Sequence, residues 1–398
     1  MNRHFLRDIA DIQTGPFGSQ LHKEDYVDIG TPIVTVEHLG NRVFTEQNLP
    51  KVSDEDKARL SKYVLKEGDI VFSRVGSVDR CSYVDAAHDG WMFSGRCLRV
   101  RPNTEVDPLY LYYFFCLEDT KQFVRNIAVG ATMPSINTKL LGEVEVAYPS
   151  QTEQQKIVAL LSALDDKIEI NQKINENLQQ QAAAIFRSWF VDCVPFGGTA
   201  PDEWENVTLE GITALVSRGI TPKYADDTDQ IVINQKCIRN HMIDLSFARS
   251  HRPKVINDKW LRFGDLLINS TGDGTLGRAA QVWFQPHNLT VDSHVTIVRP
   301  AAENMTFYIG LWGTQHEREI ESLHTGSTGQ TELPRDRVKA LELLLPDKET
   351  LNRFNALIAP MAATIVSNQE ENNRLVSIRD ALLPRLMSGE IDVSAIQI

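Results

Sequence analysis

Two long stretches of the chain carry apolar residues at alternating three- and four-residue steps, separated by polar residues. That spacing is the period of a coiled-coil seam, so it predicts two long helices, over 151–192 and 347–388. Neither stretch contains a glycine before its end. A helix of roughly 35 residues is about 50 Å long. The predicted seam residues are Ile157, Leu161, Leu164, Ile168, Leu178, Ala182, Ile185 and Trp189 in the first helix, and Phe354, Ile358, Met361, Ile365, Leu375, Leu382 and Leu386 in the second.

Two asparagines interrupt each seam: Asn171 and Asn175 in the first, Asn368 and Asn372 in the second. An asparagine in a seam costs stability but fixes the register and the partner of a helix. Because the interruptions match, the two helices are expected either to meet each other or to meet equivalent partners. The alternative is that these asparagines face solvent at the end of the apolar stripe.

Pro360 lies inside the second predicted helix, at the position that Ala163 holds in the first. Proline removes a backbone hydrogen bond and crowds the preceding turn, so we expect a local kink or break there.

The whole chain repeats itself at an offset of about 196–198 residues, and such internal repeats decide how a fold is divided. Each copy has short β-rich runs with helical pieces between them, followed by the long helix. The sequence therefore predicts an α+β protein with a pseudo-two-fold internal repeat. The matching landmarks are Gly68-Asp69 and Gly264-Asp265, Gly76 and Gly272, Arg80 and Arg278, Arg101-Pro102 and Arg299-Pro300, Gly130 and Gly326, and Pro149 and Pro346.

The repeat also predicts the domain boundaries. Two globular domains of mixed structure are expected, and a turn-rich linker joins the first helix to the second domain. The predicted segments are 1–150 for the first domain, 151–192 for the first helix, 193–206 for the linker, 207–346 for the second domain, 347–388 for the second helix and 389–398 for a tail.

The formal net charge is −12, from 41 Lys and Arg against 53 Asp and Glu. This balance argues against a protein that grips DNA alone through a basic surface, because phosphate contacts supply most non-specific affinity. A few local arginines and lysines are still enough to specify a sequence while a partner grips the backbone.

The sequence has no apolar run long enough for a membrane span and no secretory signal at its start, so we expect a cytoplasmic protein. Five dispersed cysteines, with no CxxC pair, are typical of reduced thiols in that compartment.

Catalytic motifs are absent from the sequence. It has neither a GxxxxGK[ST] phosphate loop nor an Asn/Asp-Pro-Pro-Tyr methyltransferase motif, and its ten histidines form no helical HxxxH pair. We therefore predict no catalytic residue, no bound metal and no cofactor on this chain.

Three polar strips in each copy are candidates for DNA contact. The first directly follows an early strand, the second is the glycine-containing loop after the Gly-Asp strand, and the third is the later glycine loop. Arginine reads guanine bidentately, asparagine and glutamine read adenine, and small hydroxyl residues suit bases or phosphates. The alternative for each strip is a plain turn with polar side chains in water. The candidates are Thr35, Glu37, His38 and Arg42, with Gln235, Lys236 and Arg239; Ser73, Arg74, Ser77 and Arg80, with Asn269, Ser270, Thr271, Thr275 and Arg278; and Thr132 and Ser135, with Ser327, Thr328 and Gln330.

The order of these features resembles the specificity subunits of type I restriction enzymes. A Gly-Asp-Ile or Gly-Asp-Leu strand, a glycine-containing loop and a proline leading into a long helix occur twice. The run Pro149-Ser150-Gln151-Thr152-Glu153-Gln154 is similar to the family's entry into its long helix. The second copy departs from it at Pro346-Asp347-Lys348, which lacks the Glu-Gln pair. The resemblance covers nearly the whole chain.

The resemblance implies that each globular domain is a target-recognition domain for half of a split double-stranded DNA site. The two helices would pair as an antiparallel coiled coil whose length sets the unspecified spacer. Two modification subunits, carrying AdoMet and the methyl-transfer chemistry, would dock around the helices. Restriction subunits, which use ATP and Mg²⁺, would join that core. Phe186, Trp189 and Phe190 are candidate docking residues; the alternative is packing within this chain.

The sequence leaves three alternative functions open. One is a nuclease or methyltransferase with unrecognised motifs. A second is a coiled-coil scaffold that never reads DNA. The third is a specificity subunit of a related methylation-based defence system that has no restriction partner.

Overall fold

The structure is a computed structural model that describes residues 1–398 apart from Phe17, Ser19, Asp227, Pro253, Asp273, 327–330 and 395–398, and apart from the side chain of Lys23. Its strands are β1 (Asn2–Phe5), β2 (Ala10–Thr14), β3 (Tyr26–Val27), β4 (Thr31–Val34), β5 (Lys51–Val52), β6 (Ile70–Ser73), β7 (Cys81–Tyr83), β8 (Met92–Phe93), β9 (Cys97–Pro102), β10 (Glu145–Tyr148), β11 (Glu205–Thr208), β12 (Thr213–Arg218), β13 (Ile231–Ile233), β14 (Ile238–Arg239), β15 (Met242–Ile243), β16 (Arg249–Ser250), β17 (Leu266–Asn269), β18 (Ala279–Gln281), β19 (Leu289–Val291), β20 (Val295–Pro300) and β21 (Glu342–Leu345). Its α-helices are α1 (Leu6–Ile9), α2 (Asp54–Arg59), α3 (Pro108–Cys116), α4 (Glu118–Ile127), α5 (Thr138–Leu141), α6 (Gln151–Phe186), α7 (Thr306–Gln315), α8 (Glu317–Ser322), α9 (Arg335–Lys339) and α10 (Lys348–Met387).

The chain forms two compact units, and each takes part of both long helices. Unit 1 comprises residues 1–168 and 374–398, and unit 2 comprises residues 169–373. The predicted segments follow the chain order, whereas the compact units each combine a globular domain with parts of α6 and α10.

Unit 1 is built on a four-stranded antiparallel sheet in the order β2-β9-β6-β7. A second sheet has the order β3-β5-β4-β8, in which β4 and β8 run parallel. Successive side chains of a strand point in opposite directions, so the apolar residues of the central strand β6 pack on both of its faces. Ile70 and Phe72 enter one core cluster, and Val71 enters another.

Unit 2 repeats this plan with the order β12-β20-β17-β18. Leu266 and Ile268 face one core cluster and Leu267 faces another, as in unit 1. The parallel pair also recurs, as β13 with β19. Unit 2 adds the hairpin β14–β15, where unit 1 has coil. The predicted repeat is therefore confirmed in the sheets.

The long helices run antiparallel in both units. In unit 1, Asp165 of α6 pairs with Arg379 of α10, and Ile157 shares a core with Leu386. In unit 2, the ring of Phe186 lies 6.1 Å from the ring of Phe354. In both units, higher numbers on α6 meet lower numbers on α10, as an antiparallel pair requires.

The expected break at Pro360 is wrong, because α10 continues through it from Lys348 to Met387. Pro360 and Ala356 are both exposed. The carbonyl of Ala356 loses its helical donor to the proline ring but lies on the side of the helix that water reaches, which keeps the cost low.

Candidate nucleic-acid interface

The repeated Gly-Asp and Arg-Pro landmarks form a buried ion pair in each unit, which we call the Asp–Arg clamp. Arg101 donates from Nε and Nη2 to the two carboxylate oxygens of Asp69, at 2.6 and 2.7 Å. Arg299 does the same with Asp265, at 2.8 and 2.7 Å. Both aspartates are 1% exposed. The clamp thus holds the start of one central strand to the end of its neighbour, and the motifs that carry the family resemblance are structural.

The second and third candidate strips of unit 1 are bonded to each other through their backbones. The amide of Gly76 donates to the carbonyl of Pro134 at 2.8 Å, and the amide of Ile136 donates to the carbonyl of Arg74 at 3.0 Å. Arg80 also donates from Nη2 to the carbonyl of Leu39, which ties in the first strip. Three stretches that are about 40 to 100 residues apart in the sequence therefore share one edge of unit 1.

The same arrangement recurs in unit 2 with different side chains. The amide of Leu333 donates to the carbonyl of Ser270 at 2.8 Å, which joins the second strip to the third. Gln235 of the first strip accepts from Nδ2 of Asn269 at its carbonyl and from Oγ1 of Thr271 at its side chain, at 3.0 and 3.3 Å. We call this set of joined strips the loop edge of each unit.

Several candidates on the loop edge of unit 1 are occupied within the chain. His38 is 1% exposed, and its ring nitrogens bond to Thr35 and to the carbonyl of Gln47. Ser73 is buried and donates to the carbonyl of Val75 at 2.8 Å. Arg42 pairs with Asp166 of α6; burial alone would lower the pKa of Arg42, but this carboxylate raises it overall.

Other candidates of unit 1 remain available to a ligand. Glu37, Ser77, Arg80 and Thr132 are exposed on the loop edge, and Thr35, Arg74 and Ser135 are half-buried. Nη1 of Arg74 donates to the carbonyl of Gly95 at 3.0 Å, and the hydroxyl of Ser135 donates to the carbonyl of Val129 at 3.3 Å.

Unit 2 shows the same division. Asn269 and Ser270 are fully buried, and the hydroxyl of Ser270 bonds to that of Thr296 at 2.6 Å. Both side chains therefore brace the loop from inside. Lys236 and Arg239 are exposed, whereas the remaining candidates Gln235, Thr271, Thr275 and Arg278 are half-buried. Ser327, Thr328 and Gln330 lie outside the described residues.

A fourth strip of the loop edge escaped the sequence analysis. The amide of Arg74 donates to the carbonyl of Arg96, and that of Ser270 donates to the carbonyl of His294, each at 2.8 Å. Oγ1 of Thr271 lies 2.7 Å from Nδ1 of His294. Both triplets, 94–96 and 292–294, precede the same repeated strand at an offset of 198, so a closer comparison of the repeats would have found them.

Comparisons with known proteins show what this chain is similar to. Residues 2–180 match the profile of the type I restriction modification DNA specificity domain. The MjaIX specificity subunit of a type I restriction enzyme from Methanocaldococcus jannaschii is 26% identical, over 98% of this chain and 93% of its own length. The HindI specificity subunit from Haemophilus influenzae is 24% identical, over 85% of this chain and 89% of its own length.

A solved structure has the same fold. The crystal structure of a type I restriction–modification S subunit from M. genitalium aligns with a TM-score of 0.55 and 14% identity, over 97% of this chain and 95% of that one. The chain is thus similar to type I specificity subunits along nearly its whole length, and residues 2–180 match their DNA specificity domain.

The helix seam of this chain is buried, and its asparagines meet each other. Asn171 is 0% exposed and donates from Nδ2 to Glu371 at 2.7 Å and to Asn372 at 2.9 Å. Asn368 donates to Asn175 at 2.8 Å. These two asparagine pairs are related by the internal repeat, so the alternative of solvent-facing asparagines is wrong.

The predicted seam residues of both helices are buried or half-buried, although the register shifts near the end of α10. There Leu383 is buried, at 7% exposed, and Leu382 only half-buried. The predicted pairing residues are thus all placed on the packed side: Ile157, Leu161, Leu164, Ile168, Leu178, Phe354, Ile358, Met361, Ile365, Leu375, Leu382 and Leu386.

The aromatic residues at the end of α6 pack within unit 2. Phe186 is 1% exposed, and the ring of Phe190 lies 4.8 Å from Phe354 and 4.9 Å from Tyr308. Trp189 is half-buried, and its ring lies 5.9 Å from that of Phe354. Packing within the chain, the alternative to partner docking, therefore accounts for Phe186, while docking at the half-buried Trp189 and Phe190 stays a prediction.

Other kinds of site are not found in the part of the chain that the structure describes. No group of His, Cys, Asp and Glu is suited to hold a metal there. No helix there is long and apolar enough to cross a bilayer. All five cysteines are free, and burial raises the pKa of Cys237 to about 11, which keeps that thiol protonated.

Proposed function

We propose that this chain is a type I specificity subunit and reads a split double-stranded DNA site, one half with the loop edge of each unit. The observation that supports this most is the duplication of the loop edge. Two backbone bonds between its strips recur in both units, from Ile136 to Arg74 and from Arg74 to Arg96 in unit 1 and from Leu333 to Ser270 and from Ser270 to His294 in unit 2, while the exposed side chains differ. Two like frames with unlike surfaces suit two half-sites of different sequence, because base edges are read by side chains and not by the frame.

Partner subunits follow from the same proposal. The chain supplies recognition, so methyl transfer with AdoMet requires modification subunits, for which we propose two copies. DNA cleavage would require restriction subunits that use ATP and Mg²⁺. Exposed apolar side chains on the long helices, such as Ile170 and Ile174 on α6 and Ile378 on α10, support docking along the helices.

The first experiment is a methylation map of the host genome with and without the gene. A split motif that is methylated only when the gene is present is the expected result. An unchanged map in a host whose modification subunits are shown to be active would contradict the proposal and favour a scaffold.

An exchange of residues 1–150 for the corresponding domain of another specificity subunit tests whether each unit reads its own half-site. We expect one half-site to change while the other half-site and the spacer stay the same. If both halves change, each unit does not read its own half.

The helix length gives a second test. Insertion of one helical repeat after Lys173, with a matching insertion after Glu370, should lengthen the unspecified spacer and leave both half-sites intact. An unaltered spacer would mean that the helices do not set the distance. The same map measures all three outcomes.

A further inference from the structure

Residues 234–254 of unit 2, which we call the basic segment, depart from the acidic character of the chain. The segment contains five Lys and Arg and one Asp, whereas the whole chain has 41 basic and 53 acidic residues. Its counterpart in unit 1, at an offset of 197, is residues 37–57, which contain three Lys and Arg and five Asp and Glu. The two units thus differ in the sign of charge at equivalent places.

The cations of the basic segment have no acidic partner among the residues that the structure describes. Lys254 donates to the carbonyl of Thr221 at 3.3 Å. Asp244 accepts from the amide of Ser246 at 2.9 Å and so caps a turn. In the counterpart segment of unit 1, by contrast, Arg42 pairs with Asp166. The five exposed cations are Lys236, Arg239, Arg249, Arg252 and Lys254.

Two of these arginines are held in place by aromatic rings. The guanidinium carbon of Arg249 lies 3.7 Å from the ring centre of Tyr224, and that of Arg239 lies 5.0 Å from the ring centre of Phe247. The rings themselves are 41% and 40% exposed. A guanidinium stacked on a ring keeps its N–H donors at its edge, in a planar fork that matches a phosphate.

The basic segment is continuous with the loop edge of unit 2. Gln235 bonds to Asn269 and Thr271, and Nδ2 of Asn234 donates to the carbonyl of Phe247 at 2.7 Å. A polyanion that follows the loop edge therefore meets the stacked arginines next.

We propose that the basic segment binds the DNA phosphate backbone beside the half-site of unit 2, so that unit 2 supplies most of the sequence-independent affinity of this chain. The inference rests on the proposed function. It also reconciles DNA binding with a net charge of −12, since the basic segment concentrates positive charge locally on a chain that is acidic as a whole.

The test compares charge removal at equivalent places in the two units. The full-length chain is titrated, by fluorescence anisotropy, onto a duplex that carries the mapped split site and onto a scrambled duplex, between about 50 and about 200 mM salt. The variant is R239A/R249A. Its matched control is K51A/K57A, which removes two charges from the counterpart segment of unit 1. Circular dichroism checks that both variants are folded.

For R239A/R249A we expect weaker binding to both duplexes. The slope of log K against log salt concentration should become shallower by roughly two, about one for each lost phosphate contact. The control should keep the wild-type slope. Arg249→Lys should weaken binding less than Arg249→Ala, because lysine keeps the positive charge and loses only the planar pair of N–H donors.

Two results would overturn the inference and leave the proposed function standing. One is a wild-type salt slope for R239A/R249A. The other is a loss of affinity for the split site alone, which would mean that these arginines read bases. If the wild-type chain, assembled with its modification subunits, fails to prefer the split site, the proposed function itself fails.

Discussion

In unit 1, the loop after β6 is tied to the first strip by Arg80, which donates to the carbonyl of Leu39. In unit 2, the equivalent tie is made by Asn269 and Thr271, which both bond to Gln235. Different side chains therefore hold the loop backbone in the same place in the two units. The comparison teaches that the frame depends on the Asp–Arg clamp and the strand order, which the units share, while the side chains that tie the loop differ between them.

The largest expected effect tests whether the frames are equivalent. Asp69→Ala leaves the half-buried guanidinium of Arg101 without its carboxylate, and Asp265→Ala does the same to the buried guanidinium of Arg299. Removing one partner of a buried pair typically costs about 3–5 kcal/mol in the free energy of unfolding. Asp265→Ala should cost more, because the Arg299 side chain is 8% exposed and that of Arg101 is 31% exposed. Urea unfolding gives the total loss, and hydrogen exchange locates it in one unit.

Exposed aspartates supply the controls for the clamp. Asp119→Ala in unit 1 and Asp202→Ala in unit 2 should change stability by no more than about 0.5 kcal/mol. If a clamp variant unfolds like its control, the Asp–Arg clamp does not hold that unit together.

The next effect concerns a glycine that ends the first strand of each sheet. A Cβ at Gly15 would collide with the carbonyl oxygen of Ser94, and one at Gly219 with the carbonyl oxygen of Val291. Gly15→Ala and Gly219→Ala should therefore each cost about 1–3 kcal/mol, as overpacking does. Thermal unfolding measures the loss. Gly211→Ala is the control, since a Cβ there meets Thr208 at an ordinary 3.6 Å. A loss in only one unit would contradict the equivalence.

The asparagine pairs of the helices should show a smaller and unequal effect. Asn171 is fully buried with two acceptors, whereas Asn368 is half-buried and donates to Asn175. We expect about 2 kcal/mol for Asn171→Ala and about 1 kcal/mol for Asn368→Ala, because a buried acceptor without its donor costs most. Chemical unfolding compares both with the exposed Gln180→Ala. Equal losses would show that burial does not distinguish the two pairs.

The smallest effect is a difference in pH dependence between the units. Burial raises the pKa of Asp292, partly opposed by the amide and the ring of His294, and the equivalent residue of unit 1 is Ser94. The folded state holds this proton more tightly than the unfolded state, so the group lowers stability as pH rises through its folded pKa. Asp292→Asn should raise stability at pH 7 by about 0.5 kcal/mol. The gain should shrink as the pH falls toward 4 in unfolding measurements, and a gain independent of pH would contradict it.

The sequence predicted the periodic parts of this protein well. The seams, the matching asparagines and the repeat of 196–198 residues each depend on spacing along the chain, and spacing is visible without a structure. The candidate strips lie at strand ends and glycine loops, which mark where polar side chains emerge, and their contact with DNA stays a prediction.

The roles of single polar residues were not visible in the same way. His38, Ser73, Asn269 and Ser270 have the side chains of DNA readers, but each is buried and bonded inside the loop edge. Arg42 is paired with a helix residue 124 positions away. A polar side chain has the same formula whether it faces DNA or braces a turn, so composition could not separate the two.

The sequence by itself determined that the chain is a repeat of a mixed domain and a long helix, because hydrophobic period and internal similarity are properties of the chain order. Only the tertiary structure decided that the two helices meet antiparallel through their asparagines, and that the Gly-Asp and Arg-Pro motifs form a buried clamp. It also decided which strips share the loop edge. The physical reason is that contacts between residues 30 to 200 positions apart depend on how strands and helices pack, which no local pattern encodes.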